Sequence, residues 1–203
     1  MIGWMTELER ATLDLEEYTR RAQQGPCFIC RIIDGTEEVP HHVVYRDDSA
    51  IVFLNRYPTL LGYCLVAPLE HRPAVVGAFD ESEYLGIQQV VYRAGRAITS
   101  VLPTERLYIL SLGSNQGNAH VHWHVAPLPP GVPYEEQQFP ALMIETSGYL
   151  KMHTTDIEQL ARRITAAMEH AQALRPASAA PALRAGLPSS RRSGQLDPEV
   201  GSS

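Results

Sequence analysis

Three histidines alternate with apolar residues in one short stretch, His120-Val121-His122-Trp123-His124. In a β-strand successive side chains alternate between the two faces of the sheet. The stretch therefore predicts a strand with all three imidazoles on one surface and the apolar side chains on the other. Three partly basic rings fill a core poorly, so the pattern indicates an exposed histidine-rich strand, a metal-binding tract or a functional surface.

The composition limits the classes of protein to which this chain can belong. A chain of 203 residues that is 44% hydrophobic can bury one substantial core. A net charge of −6 argues against a partner nucleic acid, although one pocket can still bind a small anion. We expect no membrane partner, since no stretch approaches the length of a membrane span and no secretory signal is visible. Three cysteines, an odd number, fit a reducing compartment and predict a cytoplasmic protein.

The chain divides into three predicted regions. Residues 4–22 have helical spacing and the capping-box pair Thr6 and Glu9, which predicts a helical N-terminal extension over residues 1–25. Strand-like runs, a long helix opening at Asp80 to Glu83 and a last helix capped by Thr154 or Thr155 place the main domain at residues 26–172. Residues 173–203 are rich in Ala, Pro, Ser, Arg and Gly without aromatic residues, and this composition predicts a disordered tail.

Two cysteines stand at CxxC spacing, Cys27-Phe-Ile-Cys30. Such a pair alone is compatible with half of a zinc site, a redox pair or two small buried residues. The pair follows a predicted helix and a Gly-Pro break rather than a strand, which favours metal. Structural zinc takes four ligands, and the candidates for the other two are His41, His42, His71 and a histidine of the alternating stretch.

A polar loop, Gly113-Ser-Asn-Gln-Gly-Asn118, immediately precedes the histidine stretch. Glycines permit close backbone approach, and the loop offers N–H donors to an anion. We expect the loop and the imidazoles to converge on one pocket.

Together these residues resemble the histidine-triad (HIT) family. His120 to Ala126 matches the family signature, in which three histidines alternate with apolar residues and two apolar residues follow. Cys27 to Ile33 is similar to the N-terminal segment of zinc-containing members, and Ile51 to His71 is similar to the two central strands and the next loop. The resemblance covers about residues 26 to 128.

The resemblance implies an α+β fold. The expected domain has a HIT-like, five-stranded antiparallel sheet with flanking helices. Members usually form a homodimer in which ten strands run across the two subunits.

The resemblance also implies an enzyme that acts at the α-phosphate of a small-molecule nucleotide. His122 matches the middle histidine, which attacks phosphorus to give a nucleotidyl-histidine intermediate that water or another acceptor then resolves. A neutral imidazole is a good nucleophile at neutral pH, which makes the step chemically reasonable. His124 is expected to hydrogen-bond the phosphate or the leaving-group oxygen.

The same resemblance implies a nucleotide site and a metal site. Asn55 matches the position that binds ribose hydroxyls, and the neighbouring Phe53 and Leu54 are expected to wall the base. Phosphate binding is assigned by position to Asn115, Gln116 and Asn118. In zinc-containing members the CxxC pair, a histidine matching His71 and the first triad histidine hold the metal, which implies a structural zinc on Cys27, Cys30, His71 and His120.

Histidine at the third triad position is typical of the family's hydrolases, whereas nucleotidyltransferases tend to carry glutamine there. His124 therefore favours hydrolysis of dinucleoside polyphosphates or AMP conjugates. The alternatives are a phosphorylase or nucleotidyltransferase, a non-catalytic nucleotide-binding protein, and a zinc-binding interaction module in which all three triad histidines are ligands. One departure from the common pattern is Tyr63, where many relatives carry histidine after glycine.

Overall fold

The computed structural model describes residues 8–112 and 119–173. Within these residues the chain forms the strands β1 Arg10–Ala11, β2 Val43–Arg46, β3 Ala50–Leu54, β4 Cys64–Pro68, β5 Arg106–Leu110, β6 Trp123–Leu128 and β7 Tyr149–Leu150. The α-helices of the same residues are α1 Leu15–Gln24, α2 Phe28–Asp34, α3 Glu81–Val101, α4 Phe139–Leu142, α5 Ile144–Ser147 and α6 Thr154–Ala173. A 3₁₀ turn spans Tyr134–Glu136.

The five longer strands form one antiparallel sheet in the order β2-β3-β4-β6-β5. This arrangement confirms the predicted α+β fold with a five-stranded antiparallel sheet. Every residue of β3 and β4 is buried, because helices cover both faces of the sheet. Continuous apolar runs such as Ala50–Leu54 are the sequence signature of strands buried on both faces.

The two faces of the sheet carry separate hydrophobic clusters. On one face α3 and α6 pack against inward side chains that include Val52, Val66 and Trp123. On the other face α2 and α4 pack against Ile51, Phe53 and Leu65. We call this second surface the α2 face; the site described below lies on it.

Helix α3 begins and packs as its sequence predicts. The Asp80 side chain accepts a hydrogen bond from the Glu83 backbone, and the Glu83 side chain accepts one from the Asp80 backbone, forming a capping box. Farther along, a side-chain Cβ on Gly95 would lie 2.6 Å from Leu107 of β5. Glycine at this position therefore lets the helix lie close to the sheet.

The N-terminal segment differs from the predicted helix over residues 4–22. Arg10 and Ala11 instead pair as β1 with Leu150 and Tyr149 of β7, and the Arg10 guanidinium donates to the carbonyl oxygens of Ser147 and Thr59. Helix α1 begins only after Asp14, whose side chain accepts a hydrogen bond from the Glu17 backbone. These long-range contacts override the helical spacing. Trp4 and Thr6 lie outside the described residues.

None of the helices in the described part of the chain combines the length and the apolar character needed to cross a membrane.

Candidate functional site

The three histidines do not form one continuous row on a strand. Strand β6 begins at Trp123, so His120 and His122 precede it. His120 is 0% exposed, and its ring lies beside His71 with the ring centroids 4.9 Å apart. His122 and His124 form a separate pair, with centroids 4.8 Å apart. The expected single surface of three rings thus divides into a buried histidine and a pair.

His120 belongs to a cluster with Cys27, Cys30 and His71, in which the potential ligand atoms all lie within 4.8 Å of one another. Nδ1 of His120 is 3.5 Å from Sγ of Cys27 and 3.5 Å from Sγ of Cys30, while Nδ1 of His71 is 3.3 Å from Sγ of Cys30. The fold therefore brings together the four residues that the resemblance implied as a metal site.

Local structure places each member of the cluster. Cys27 caps the N-terminus of α2, and its Sγ accepts a hydrogen bond from the Cys30 backbone, so both thiols lie on the first turn. Arg72 fixes the loop that carries His71. Its side chain forms ion pairs with Glu70 and Glu83, and its backbone carbonyl accepts a 2.7 Å hydrogen bond from the Val121 backbone.

The donor set fits a tetrahedral zinc ion. Zn–S bonds of about 2.3 Å and Zn–N bonds of about 2.0 Å at tetrahedral angles separate S from N by about 3.5 Å. The three S···N distances, 3.3 to 3.5 Å, match this separation. His120 Nε2–H donates to the Pro68 carbonyl at 3.0 Å, which leaves the Nδ1 lone pair directed at the thiols. A backbone carbonyl that orients a ligating histidine in this way is typical of metal sites.

Burial in the cluster favours the neutral form of the His120 ring. Burial lowers the pKa of His120 to about 4, so its ring is neutral at neutral pH. Burial, reinforced by the neighbouring Cys27, raises the pKa of the Cys30 thiol to about 11. In the described residues neither His122 nor His124 joins the cluster, which argues against a module in which all triad histidines are ligands.

His122 is held in one tautomer by the backbone. Its Nδ1 lies 2.8 Å from the carbonyl oxygen of His120. A carbonyl can only accept, so Nδ1 carries the proton and Nε2 keeps its lone pair. Burial lowers the pKa of His122, which keeps the ring neutral at neutral pH. The His122 carbonyl in turn accepts a 2.8 Å hydrogen bond from the Ser111 hydroxyl.

His124 lies in β6, opposite Leu65 of β4 and Leu110 of β5. Its Nδ1 is 2.9 Å from the Tyr63 hydroxyl. Burial, with a smaller effect of His122, lowers the pKa of His124 to about 3. Burial also raises the pKa of Tyr63 well above its ordinary value.

Sequence reasoning noted Tyr63 only as a departure from the family pattern and did not identify it as a partner of His124. Gly62, with a φ of +80°, turns the chain into β4 just before this tyrosine. Side chains are strained at this φ, and a Cβ on Gly62 would also lie 2.3 Å from the Leu102 side chain, so the position favours glycine. The Gly62-Tyr63 pair is thus the sequence signal from which the partner of His124 could have been found.

Asn55 follows β3 and is joined to Tyr63, because the Asn55 backbone N–H donates to the Tyr63 carbonyl at 2.8 Å. The Asn55 side-chain oxygen accepts a 3.0 Å hydrogen bond from the Tyr57 backbone. Asn55 and Tyr63 also line a cavity of about 110 Å³, whose other walls include Leu54, Leu150 and Leu160. The triad histidines do not line this cavity.

An aromatic group formed by Phe28, His41 and Phe53 lies on the α2 face. The ring of Phe28 is edge-on to Phe53 and stacked on His41, with centroids 6.4 Å apart in each case. Phe53 pairs with Leu65, which pairs with His124. The aromatic group is therefore about 10 Å, or two strand spacings, from His124.

Two expectations about this region need correction. Phe53 and Leu54 cannot wall one base together, because neighbouring strand residues face opposite sides and Leu54 packs in the cluster under α3 and α6. His41, one of the candidate zinc ligands, does not join the cluster with Cys27 and Cys30; it is partly buried among aromatic rings, and burial lowers its pKa. The three predicted phosphate ligands Asn115, Gln116 and Asn118 lie outside the described residues.

Comparison with known proteins links this arrangement to one family. The HIT domain model matches residues 36–130. An uncharacterized HIT-like protein of Borreliella burgdorferi is 30% identical over 105 residues, which cover 50% of this chain and 74% of that protein. An uncharacterized HIT-like protein of Saccharolobus solfataricus is 26% identical over 104 residues, covering 50% of this chain and 73% of that protein.

Solved structures show the same fold. A hypothetical histidine triad nucleotide-binding protein from Sulfolobus tokodaii superimposes with a TM-score of 0.57 at 25% identity, over 71% of this chain and 93% of that chain. A zinc-bound histidine triad family protein from Mycobacterium smegmatis has a TM-score of 0.58 at 22% identity, over 73% of this chain and 97% of that chain.

Proposed function

The chain belongs to the HIT domain family, and from this premise we propose that it is a nucleotide hydrolase. It acts at the α-phosphate of dinucleoside polyphosphates or AMP conjugates, through a nucleotidyl intermediate on His122. The observation that carries the proposal is the 2.8 Å contact of His122 Nδ1 with the His120 carbonyl. That contact leaves Nε2 as an unprotonated, neutral nucleophile, which is the form that attack on phosphorus requires.

The reaction has two displacement steps. In the first, the Nε2 lone pair of His122 forms a bond to the α-phosphorus, and the bond from phosphorus to the leaving group breaks with its electron pair on the leaving group. In the second, water attacks the same phosphorus, its proton passes to solvent or to a base, and the N–P bond breaks. His124, with its ring centroid 4.8 Å from that of His122, hydrogen-bonds the oxygen on which negative charge develops.

The nucleotide is proposed to lie on the α2 face. Asn55 binds the ribose hydroxyls, and Phe53, with Phe28 beside it, offers an apolar wall to the base. Asn115, Gln116 and Asn118 are proposed to bind the phosphates. Support for this orientation is the cross-strand alignment of Phe53, Leu65 and His124 on one face of the sheet.

The metal is proposed to be a structural zinc held by Cys27, Cys30, His71 and His120. Zinc would cross-link the N-terminus of α2 to the two loops that carry His71 and His120. It would affect the reaction only indirectly, by fixing His120, whose carbonyl orients His122.

A homodimer is proposed through the edge of β5. β5 is a terminal strand of the sheet in the described structure, and Ile109 on it is 47% exposed. A second copy adding its own β5 would extend the sheet to ten strands and cover that edge. We further propose a cytoplasmic location, supported by the odd number of cysteines, three, which fits a reducing compartment. The division into residues 1–25, 26–172 and 173–203 also stays a proposal.

Trapping the intermediate tests the function. Brief mixing with diadenosine tetraphosphate or an AMP amide, followed by acid quench and mass spectrometry, should show protein carrying one AMP moiety on His122. His122→Ala should abolish the adduct, lower turnover at least about a thousandfold and retain zinc. The exposed His153→Ala variant is the matched control and should behave as wild type. Wild-type turnover without an adduct, or an adduct that persists in His122→Ala, would contradict the proposal.

Product analysis separates hydrolysis from phosphorolysis. Without inorganic phosphate the proposed hydrolase releases AMP, and added phosphate should not change this product. Appearance of ADP from the cleaved AMP moiety only when phosphate is present would identify a phosphorylase instead.

A further inference from the structure

The phenol of Tyr63 packs edge-on against the ring of His124, with centroids 5.7 Å apart and an interplanar angle of 71°. The hydroxyl oxygen is 2.9 Å from Nδ1 of His124, and Tyr63 is only 6% exposed. The two residues are 61 positions apart in the sequence and meet because β4 and β6 are neighbours in the sheet.

The direction of this hydrogen bond follows from the surroundings. Among the described residues, Nδ1 of His124 is the partner that the structure gives to the Tyr63 hydroxyl. If Nδ1 carried the proton, the buried phenolic O–H would have no acceptor, at a cost of about 1–3 kcal/mol. The phenol is therefore the donor and Nδ1 the acceptor.

We propose that Tyr63 is a positioning residue that holds His124 in the tautomer with its proton on Nε2. The phenol sets both the tautomer and the orientation of the ring, while His124 itself contacts the substrate. The tautomer assignment stands on geometry alone, whereas its catalytic consequence rests on the proposed function.

Both partners of this hydrogen bond stay neutral at neutral pH. Among the described residues, the polar groups in contact with His124 are the Tyr63 hydroxyl and the His122 ring, and neither of these two carries a negative charge. Burial lowers the pKa of His124 and raises that of Tyr63, so the proton remains on the phenol.

The two neutral histidines therefore have different roles in the proposed catalysis. His122 has its proton on Nδ1 and presents a lone pair on Nε2, whereas His124 has its lone pair on Nδ1 and presents N–H on Nε2. One ring therefore serves as nucleophile and the other as a hydrogen-bond donor to the phosphate or leaving-group oxygen. The backbone imposes the first tautomer and Tyr63 imposes the second.

Nitrogen-15 NMR of histidine-labelled protein tests the assignment without any need for turnover. In the wild type we expect the His124 Nδ1 resonance at a hydrogen-bonded, unprotonated position and Nε2 at a protonated one. In Tyr63→Phe the Nδ1 resonance should shift as its donor is lost. Tyr45→Phe, which removes the phenolic hydrogen bond from Tyr45 of β2 to Asp47 just after that strand, is the matched control and should leave His124 unchanged. A proton on Nδ1 in the wild type, or an unaltered Nδ1 in Tyr63→Phe, overturns the proposal.

Kinetics test the positioning role. Tyr63→Phe should lower kcat about tenfold with KM within about twofold, by analogy with the hydrogen-bond partners that orient metal-ligating histidines. In a His124→Ala background the same substitution should cost nothing further, because its effect passes through His124. If Tyr63→Phe lowered kcat equally in both backgrounds, or did not lower it in the wild type, Tyr63 would not be a positioning residue for His124. If the wild type turns over no nucleotide, the proposed function fails while the NMR result still decides the tautomer.

Discussion

The carbonyl oxygen of His120 accepts a 2.8 Å hydrogen bond from Nδ1–H of His122. Since the His120 side chain is directed at Cys27 and Cys30, one residue connects the cysteine–histidine cluster to the proposed nucleophile. Any change that displaces His120 should therefore disturb the orientation of His122, although the proposed chemical steps do not involve the cluster.

Disrupting the cysteine–histidine cluster, the proposed zinc site, should reduce both stability and turnover. In Cys30→Ser we expect loss of bound zinc, a lower unfolding temperature and a fall in kcat, because His120 no longer has a fixed position. Structural zinc contributes folding free energy directly. The measurement combines metal analysis, thermal unfolding and steady-state kinetics.

Cys64→Ala is the control for this experiment. Cys64 is buried in β4, and its thiol contacts the Gly62 carbonyl rather than the cluster. It should lose some stability but keep one zinc per chain. Retention of zinc by Cys30→Ser, or loss by Cys64→Ala, would show that the metal ligands are assigned wrongly.

Acidification should destabilise the fold through His124. Its pKa is about 3 in the folded chain and 6.5 in its ordinary state, so the unfolded chain binds the proton more readily. The contribution of the neutral His124 ring to the free energy of unfolding is fully present above pH 6.5 and is lost as the pH falls toward 3. Between pH 7 and pH 5 this group alone predicts a loss of about 2 kcal/mol in the free energy of unfolding.

Urea unfolding at the two pH values measures this effect. His124→Gln removes the titrating group, so its stability should fall less than that of the wild type between pH 7 and pH 5. Parallel losses in the two proteins would mean that His124 is not the group responsible.

Asn55 should affect substrate binding more than the chemical step. Asn55→Ala removes the proposed ribose contact and is expected to raise KM about tenfold with little change in kcat, as for uniform binding of ground and transition states. Asn55→Asp keeps an oxygen that can accept both from the Tyr57 backbone and from ribose, and it should restore most of the affinity. A fall in kcat alone in the alanine variant would point to a different role.

The β5 edge should govern the oligomeric state. Light scattering after size-exclusion chromatography should give twice the chain mass for the wild type, and Ile109→Lys should give the monomer, because a charge would be buried in the interface. Val76→Lys, at a residue that is 90% exposed in the loop before α3, is a control that should remain dimeric. A monomeric wild type would exclude this dimer.

Much of the architecture is encoded locally and is visible in the sequence. The capping box at Asp80 and Glu83 predicts where α3 begins, and the apolar runs of β3 and β4 predict buried strands, because propensity and periodicity act over a few neighbouring residues. Cys27 and Cys30 are visible as a potential ligand pair for the same reason. Their partners, 41 to 93 positions away, were implied by family resemblance and not by spacing.

The tertiary structure decided what depends on contacts between distant segments. Pairing of Arg10 and Ala11 with β7 replaced the start of a predicted helix, because backbone hydrogen bonds to another strand outweigh weak helical spacing. Likewise, the alternation of the histidines does not reveal that His120 lies in the cysteine–histidine cluster or that Tyr63 forms a hydrogen bond with His124. The tautomers of His120 and His124 are set by hydrogen bonds to the Pro68 carbonyl and the Tyr63 hydroxyl, and these contacts form only when distant segments lie side by side.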